Sequence, residues 1–88
     1  MYYVYILKSL KDEGLYVGFY PTDLKERIMK HCKGGVPSTR HRRPLELVYY
    51  EAYKSKKDAL IREKRLKQFA KGFASLKGRL HYSLMDEG

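Results

Sequence analysis

Hydrophobic and polar positions change rhythm several times along the chain, and each change marks an element. Residues 2–8, Tyr2-Tyr3-Val4-Tyr5-Ile6-Leu7-Lys8, form an almost unbroken run of β-formers. Such a run suits a central strand covered on both faces. Lys11-Asp12-Glu13-Gly14 reads as a turn with Gly14 available for a positive φ, and Leu15 to Phe19 reads as the returning strand of a hairpin. Side chains alternate along a strand, so Tyr3, Tyr5 and Leu7 share one face, as do Tyr16 and Gly18 on the second strand. Gly18 has no side chain and leaves room for a close approach beside Tyr16.

The period then lengthens. Pro21, followed by Asp23 with Glu26 three residues on, predicts a capped helix that runs to about Lys33 and ends at Gly34-Gly35. At about 100° per residue, Leu24, Ile28 and His31 fall on one stripe with Arg27 at its edge. Arg27 and His31 are four apart and therefore neighbours. Val36 to Arg43 reads as a loop closed by Pro44, and Leu45 to Tyr53 as a third strand. Ser55 caps a second helix over residues 56–71, whose apolar stripe is Ala59, Leu66 and Ala70, widened by Leu60 and Phe69. Glu63 falls inside that stripe. Gly72 interrupts the pattern, residues 73–82 predict a short third helix, and residues 83–88 a frayed tail. The order β-β-α-β-α-(α) predicts an α/β fold, a small three-stranded sheet flanked by helices, as one domain over residues 1–82.

Length and charge narrow the class of partner. The 88 residues suffice for one hydrophobic core. Nineteen Lys+Arg against ten Asp+Glu leave a formal charge of +9, which points to a polyanion and first to nucleic acid. Six basic and four acidic side chains lie in residues 1–37, thirteen and six in residues 38–88, so the second half holds the expected footprint. No apolar run approaches the roughly 20 residues of a membrane span, and no membrane partner is expected. The apolar N-terminus is too short and too aromatic for a signal peptide. The single cysteine, Cys32, excludes an internal disulfide and a Cys-rich zinc site and suits a reducing cytoplasm.

Certain side chains are misplaced for packing alone. A carboxylate inside an apolar stripe costs free energy unless it is paired or holds a cation. Glu63 is therefore either a salt bridge to Arg27 or another basic residue, or a ligand for a divalent metal such as Mg²⁺, which takes one or two carboxylates plus substrate phosphates. His31 is either a satisfied core histidine or, beside Arg27, a phosphate contact. An arginine fork holds two phosphate oxygens and stabilises developing negative charge. Tyr5 and Tyr16 come from neighbouring strands and are either core or catalytic. A phenol with a pKa near 10 needs cations nearby to act as a base. Thr39, Arg40, Arg42 and Arg43, with the Arg62, Lys64, Arg65 and Lys67 face of the second helix, are the candidate contacts to a nucleic-acid backbone. No Gly-rich phosphate loop, Ser-His-Asp spacing or HExxH motif is present.

Taken together these residues resemble the GIY-YIG nuclease superfamily, in particular its small stand-alone bacterial members. The first motif stands as Val4-Tyr5-Ile6 and the second as Tyr16-Val17-Gly18. The helix arginine falls on Arg27, the following histidine on His31 and the metal-binding glutamate on Glu63. Ser38-Thr39 through Arg43-Pro44, Leu47-Val48-Tyr49-Tyr50-Glu51 and Ala59 to Lys67 are similar to the stand-alone branch. The likeness covers about residues 2–71. It implies a phosphodiesterase using a single Mg²⁺ (or Mn²⁺) ion and acting on DNA, with Glu63 holding the metal, Arg27 stabilising the transition state, and one of Tyr5 and Tyr16 helping to deprotonate water while the other orients it. His31 would assist by hydrogen-bonding a tyrosine or a phosphate. The small surface implies structure-directed or weakly specific cleavage, or a protein partner supplying specificity, in a setting such as DNA repair or recombination. The sequence departs from the family pattern at Val4, at Phe19-Tyr20-Pro21-Thr22, at Cys32 and in having no Asn. These departures motivate a second reading, a non-catalytic nucleic-acid-binding module that retains the nuclease fold.

Overall fold

A computed structural model describes the backbone of residues 1–86 and the side chains of residues 1–71. Strand β1 spans Tyr2–Ser9, β2 Leu15–Tyr20 and β3 Leu45–Tyr53; helices are α1 Leu24–Cys32, α2 Pro37–Arg40 and α3 Lys56–Asp86. The sheet order is β2-β1-β3 with both pairings antiparallel. The expected three-stranded α/β fold is observed, with β1 in the centre.

The apolar run of β1 explains its place. Val4, Tyr5, Ile6 and Leu7 are all buried, because helices cover both faces of the sheet. Val4, Ile6 and Val17 pack with Ala59 and Leu66 of α3. Tyr5 and Leu7 pack with Leu24 of α1, flanked by Tyr16, Ile28 and Leu47. Register shifts between Ile6 and Leu7 against β3, which absorbs one extra residue there.

Helix α1 starts and stops where its capping residues dictate. The Asp23 carboxylate accepts from the Glu26 backbone N–H at 3.3 Å. At the other end Gly34, at φ 81°, lets its own N–H reach the His31 carbonyl and the Gly35 N–H reach the Lys30 carbonyl at 2.9 Å. This paired closure satisfies two carbonyls that the helix leaves open.

Three local expectations are corrected. In the hairpin turn the left-handed residue is Glu13 (φ 61°), not Gly14. Gly14 instead donates its N–H to the Asp12 carboxylate at 2.7 Å, so the turn is fixed by a side chain rather than by glycine's freedom. The expected loop over Val36–Arg43 contains the short helix α2, begun by Pro37 at its first position. Gly72 does not end the second helix, and no separate third helix follows; α3 continues to Asp86 as one backbone helix. A single glycine costs a helix only about 1 kcal/mol relative to alanine. Of the expected frayed tail over residues 83–88, the last two lie outside the described residues.

The hairpin turn is stapled to the segment after α2. Ser9, fully buried, donates its hydroxyl to the Arg42 carbonyl at 2.6 Å, Leu10 N–H donates to the Pro44 carbonyl at 2.8 Å, and Arg42 pairs with Asp12 at 3.1 Å. These bonds fix α2 against the end of the sheet beside α1.

Candidate active site

Register builds the site on the α1 face. Tyr5 pairs with Gly18, and Leu7 pairs with Tyr16, so Tyr5 and Tyr16 project to the same side of neighbouring strands. A Cβ on Gly18 would lie 2.2 Å from the Tyr5 ring carbon Cζ and 2.3 Å from its hydroxyl oxygen. The glycine is therefore the floor on which the Tyr5 ring rests. His31, on the inner face of α1, completes a triangle of rings: 5.6 Å between centroids to Tyr5, 5.3 Å to Tyr16, and 6.4 Å between the two tyrosines.

A buried hydrogen-bonded chain runs through this cluster. The Tyr5 hydroxyl lies 2.7 Å from His31 Nε2, and His31 Nδ1 lies 2.7 Å from Thr39 Oγ1. Tyr5, His31 and Thr39 are all fully buried, whereas Tyr16 is partly exposed. Burial, with the Arg27 charge adding to it, lowers the His31 pKa to about 4 and keeps the imidazole neutral at neutral pH. Burial raises the Tyr5 pKa; a hydrogen bond from Arg27 works against the rise, and the charges of Tyr16 and Glu63 add to it. Tyr5 thus stays protonated in the free protein.

Arg27 stands over the Tyr20 ring, its guanidinium carbon 5.2 Å from the centroid. Its Nε is buried and has no hydrogen-bond partner among the described residues. A buried donor left unpaired costs about 1–3 kcal/mol, and here the donor belongs to a permanent cation among two phenols and an imidazole. No ion pair joins Arg27 to Glu63 among the described residues; the carboxylate's ionic partner is Lys67, one turn along α3, at 3.4 Å. Lys67 is 59% exposed and Glu63 only 19%. An i,i+4 pair with one exposed partner contributes a few tenths of a kcal/mol, so it leaves the carboxylate free to exchange its partner. Helix α3 packs on the Val4, Ile6 and Val17 face of the sheet, and among the described residues no hydrogen bond or ion pair joins Glu63 to Tyr5, Tyr16, Arg27 or His31.

Among the described residues, no three His, Cys, Asp or Glu side chains cluster into a metal cage. The donor set fits a cation completed by substrate, with one protein carboxylate, phosphate oxygens and waters.

The expected backbone contacts divide. Thr39 is corrected outright: it is fully buried behind His31 and offers nothing to a ligand at the surface. Arg62 is also held by the fold, its Nε and Nη2 donating to the two oxygens of Glu51 at 2.8 and 3.1 Å. Arg42 is committed to Asp12 in the same way, and Arg43 Nε donates to the Arg40 carbonyl at 3.1 Å. Arg40 and Arg43 are exposed, as is Lys67.

Sequence reasoning missed Glu51. It also accepts the hydroxyls of Tyr49 and Tyr53, the latter at 2.6 Å. The Arg62 guanidinium, aided by these phenols, lowers its pKa to about 2, and Glu51 in turn raises the pKa of both tyrosines. The alternation Tyr49-Tyr50-Glu51-Ala52-Tyr53 carried the signal, since positions 49, 51 and 53 share a strand face.

The model for the GIY-YIG catalytic domain matches residues 1–72, which hold the whole ring cluster together with Arg27 and Glu63. The chain belongs to the GIY-YIG family. It is 45% identical over 71 residues to UPF0213 protein SSP2268 of Staphylococcus saprophyticus, covering 80% of this chain and 84% of that one. UPF0213 protein CPE1444 of Clostridium perfringens is 44% identical over 72 residues, 81% of this chain and 75% of the other. Among solved structures, the solution NMR structure of UPF0213 protein BH0048 from Bacillus halodurans is 40% identical and covers 89% of this chain and 87% of that one, with a TM-score of 0.48. Membership places the chain in a nuclease family whose members generally use a divalent metal, and makes nucleic acid its class of partner. No helix among the described residues is long and apolar enough to cross a membrane.

Proposed function

We propose that this chain is a divalent-metal-dependent endonuclease that hydrolyses DNA phosphodiester bonds with little sequence specificity, its choice of site set by DNA structure or by a protein partner. The observation that carries this reading is the unpaired, buried Nε of Arg27 beside the Tyr5–His31 hydrogen bond. The cluster holds a cationic donor without an acceptor, next to a phenol already bonded to a neutral base. A phosphate oxygen supplies the missing acceptor.

In this reading Arg27 turns to the scissile phosphate and stabilises the charge that grows on it. That movement uncovers the Tyr5 oxygen. A water attacks phosphorus and passes a proton to Tyr5 as Tyr5 passes its own to His31 Nε2. The new P–O bond forms as the bond to the leaving oxygen breaks, and that oxygen takes a proton from solvent. Arg27 loses its effect on His31 once a phosphate neutralises it, which raises the imidazole's basicity when it is needed. Tyr16, the phenol that solvent reaches, orients the water. Glu63 would hold Mg²⁺ or Mn²⁺, which supplies positive charge to the phosphate and leaving oxygen when bound. Arg40, Arg43 and Lys67 would track the DNA backbone.

Cleavage of plasmid and branched DNA, with and without Mg²⁺ or Mn²⁺, tests the proposal. Metal-dependent cleavage that disappears in Glu63→Ala and Tyr16→Phe is expected, with both variants folded. Salt-sensitive DNA binding without cleavage would instead identify a binding module on the nuclease fold.

A further inference from the structure

We infer that Thr39 is a positioning residue that fixes the His31 tautomer and thereby aims the proton-accepting nitrogen at Tyr5. The inference deepens the proposed reaction and rests on it for its catalytic meaning, but the tautomer is a property of the free protein.

The direction of the chain is set from both ends. The Tyr5 ring is fully buried, so its O–H has to find a partner inside, and the available lone pair lies 2.7 Å away on His31 Nε2. A neutral imidazole carries one proton, which is then on Nδ1 and donated to Thr39 Oγ1 at 2.7 Å. The Thr39 hydroxyl in turn donates to the Val36 carbonyl, a long contact of 3.5 Å within the first turn of α2. With the opposite tautomer, Nε2–H would donate to Tyr5, and the Tyr5 proton would be left without an acceptor in a buried site. Each proton of the Tyr5–His31–Thr39 chain then has an acceptor in one direction only.

The fold supports this placement. Thr39 is presented by α2, whose following residues are tied to the hairpin by the Ser9–Arg42 and Arg42–Asp12 bonds. A threonine in a basic run is thus removed from the surface and placed behind the histidine. Serine can replace its hydroxyl, but valine, of nearly the same shape, cannot.

Long-range ¹⁵N–¹H correlation of the His31 ring at neutral pH reads the tautomer directly. A protonated, pyrrole-type Nδ1 and a pyridine-type Nε2 are expected in the wild type and in Thr39→Ser, with a shift toward protonated Nε2 in Thr39→Val. In the cleavage assay, kcat should fall about 10- to 100-fold in Thr39→Val, the range that outer partners carry at metal sites, with KM for DNA unchanged and recovery in Thr39→Ser. A wild-type Nε2–H tautomer overturns the inference, as does a Thr39→Val protein that keeps both the tautomer and kcat. If Thr39→Val does not fold, the wild-type and Thr39→Ser spectra decide. The expected tautomers in a wild type that never cleaves DNA would sustain the inference and sink the nuclease reading.

Discussion

On the α3 side of the sheet, Glu51 receives two phenols and a bidentate guanidinium, and the surrounding core of Val4, Ile6, Val17, Ala59 and Leu66 is apolar. On the α1 side, two phenols, a neutral imidazole and a guanidinium converge, and the guanidinium Nε has no partner among the described residues. The chemical inventories are similar. The difference is that one face carries its own carboxylate and the other, among the described residues, lacks an anion at its centre. The first arrangement holds β3 and α3 together; the second carries an energetic cost in the free protein that a bound phosphate would relieve. Unsatisfied polarity, more than residue type, separates the candidate site from the structural network.

The sharpest way to break this comparison is Arg27→Met, which keeps volume while removing the donor. Cleavage should fall about 10²- to 10³-fold, as on loss of one transition-state donor, while the thermal midpoint holds or rises because a buried unpaired donor has gone. Equal loss of stability would make Arg27 structural. Acid titration of stability ranks next. His31 has a folded pKa of about 4 against a usual 6.5, so the unfolded chain binds more protons between these values. Stability is full above pH 6.5 and lost on falling toward pH 4, by about 3 kcal/mol. Glu51, lowered to about 2 from 4.5, adds a second limb, present above pH 4.5 and lost as pH falls through 2. Denaturant unfolding against pH should show His31→Gln flattening the upper limb alone and Glu51→Gln the lower.

Gly18→Ala comes third. Its Cβ collides with the Tyr5 ring, and overpacking costs about 1–3 kcal/mol. Displacement of Tyr5 from His31 should also lower cleavage more than the stability loss accounts for, measured at a temperature where the variant is folded. Lys67→Ala is the smallest test. It should change stability by a few tenths of a kcal/mol, since among the described residues the ionic partner of Glu63 is an exposed lysine; a loss above about 1 kcal/mol would mean that the carboxylate is structurally committed.

Much of the fold is written in local pattern. The β1 run, the Asp23 cap, the Gly34-Gly35 stop and the bounds of β3 follow from residues adjacent in the chain, whose conformational preferences act without reference to anything distant. Tyr5 with Tyr16 and Arg27 with His31 were legible as pairs from strand alternation and helical spacing, and the GIY-YIG resemblance joined them, with Glu63, into one group. Partner choice was not legible. Thr39 and Arg62 read as surface contacts because they sit among basic residues, and only tertiary packing gave the first to His31 and the second to Glu51. Arg42 found Asp12 across 30 positions of sequence. The sequence by itself determined the three strands, the start of each longer helix and the chemistry they carry; tertiary structure decided which polar groups are spent on the fold and which stay available. The physical reason is that periodicity is a property of neighbours, while satisfaction of a hydrogen bond or charge depends on distances set only when remote segments pack.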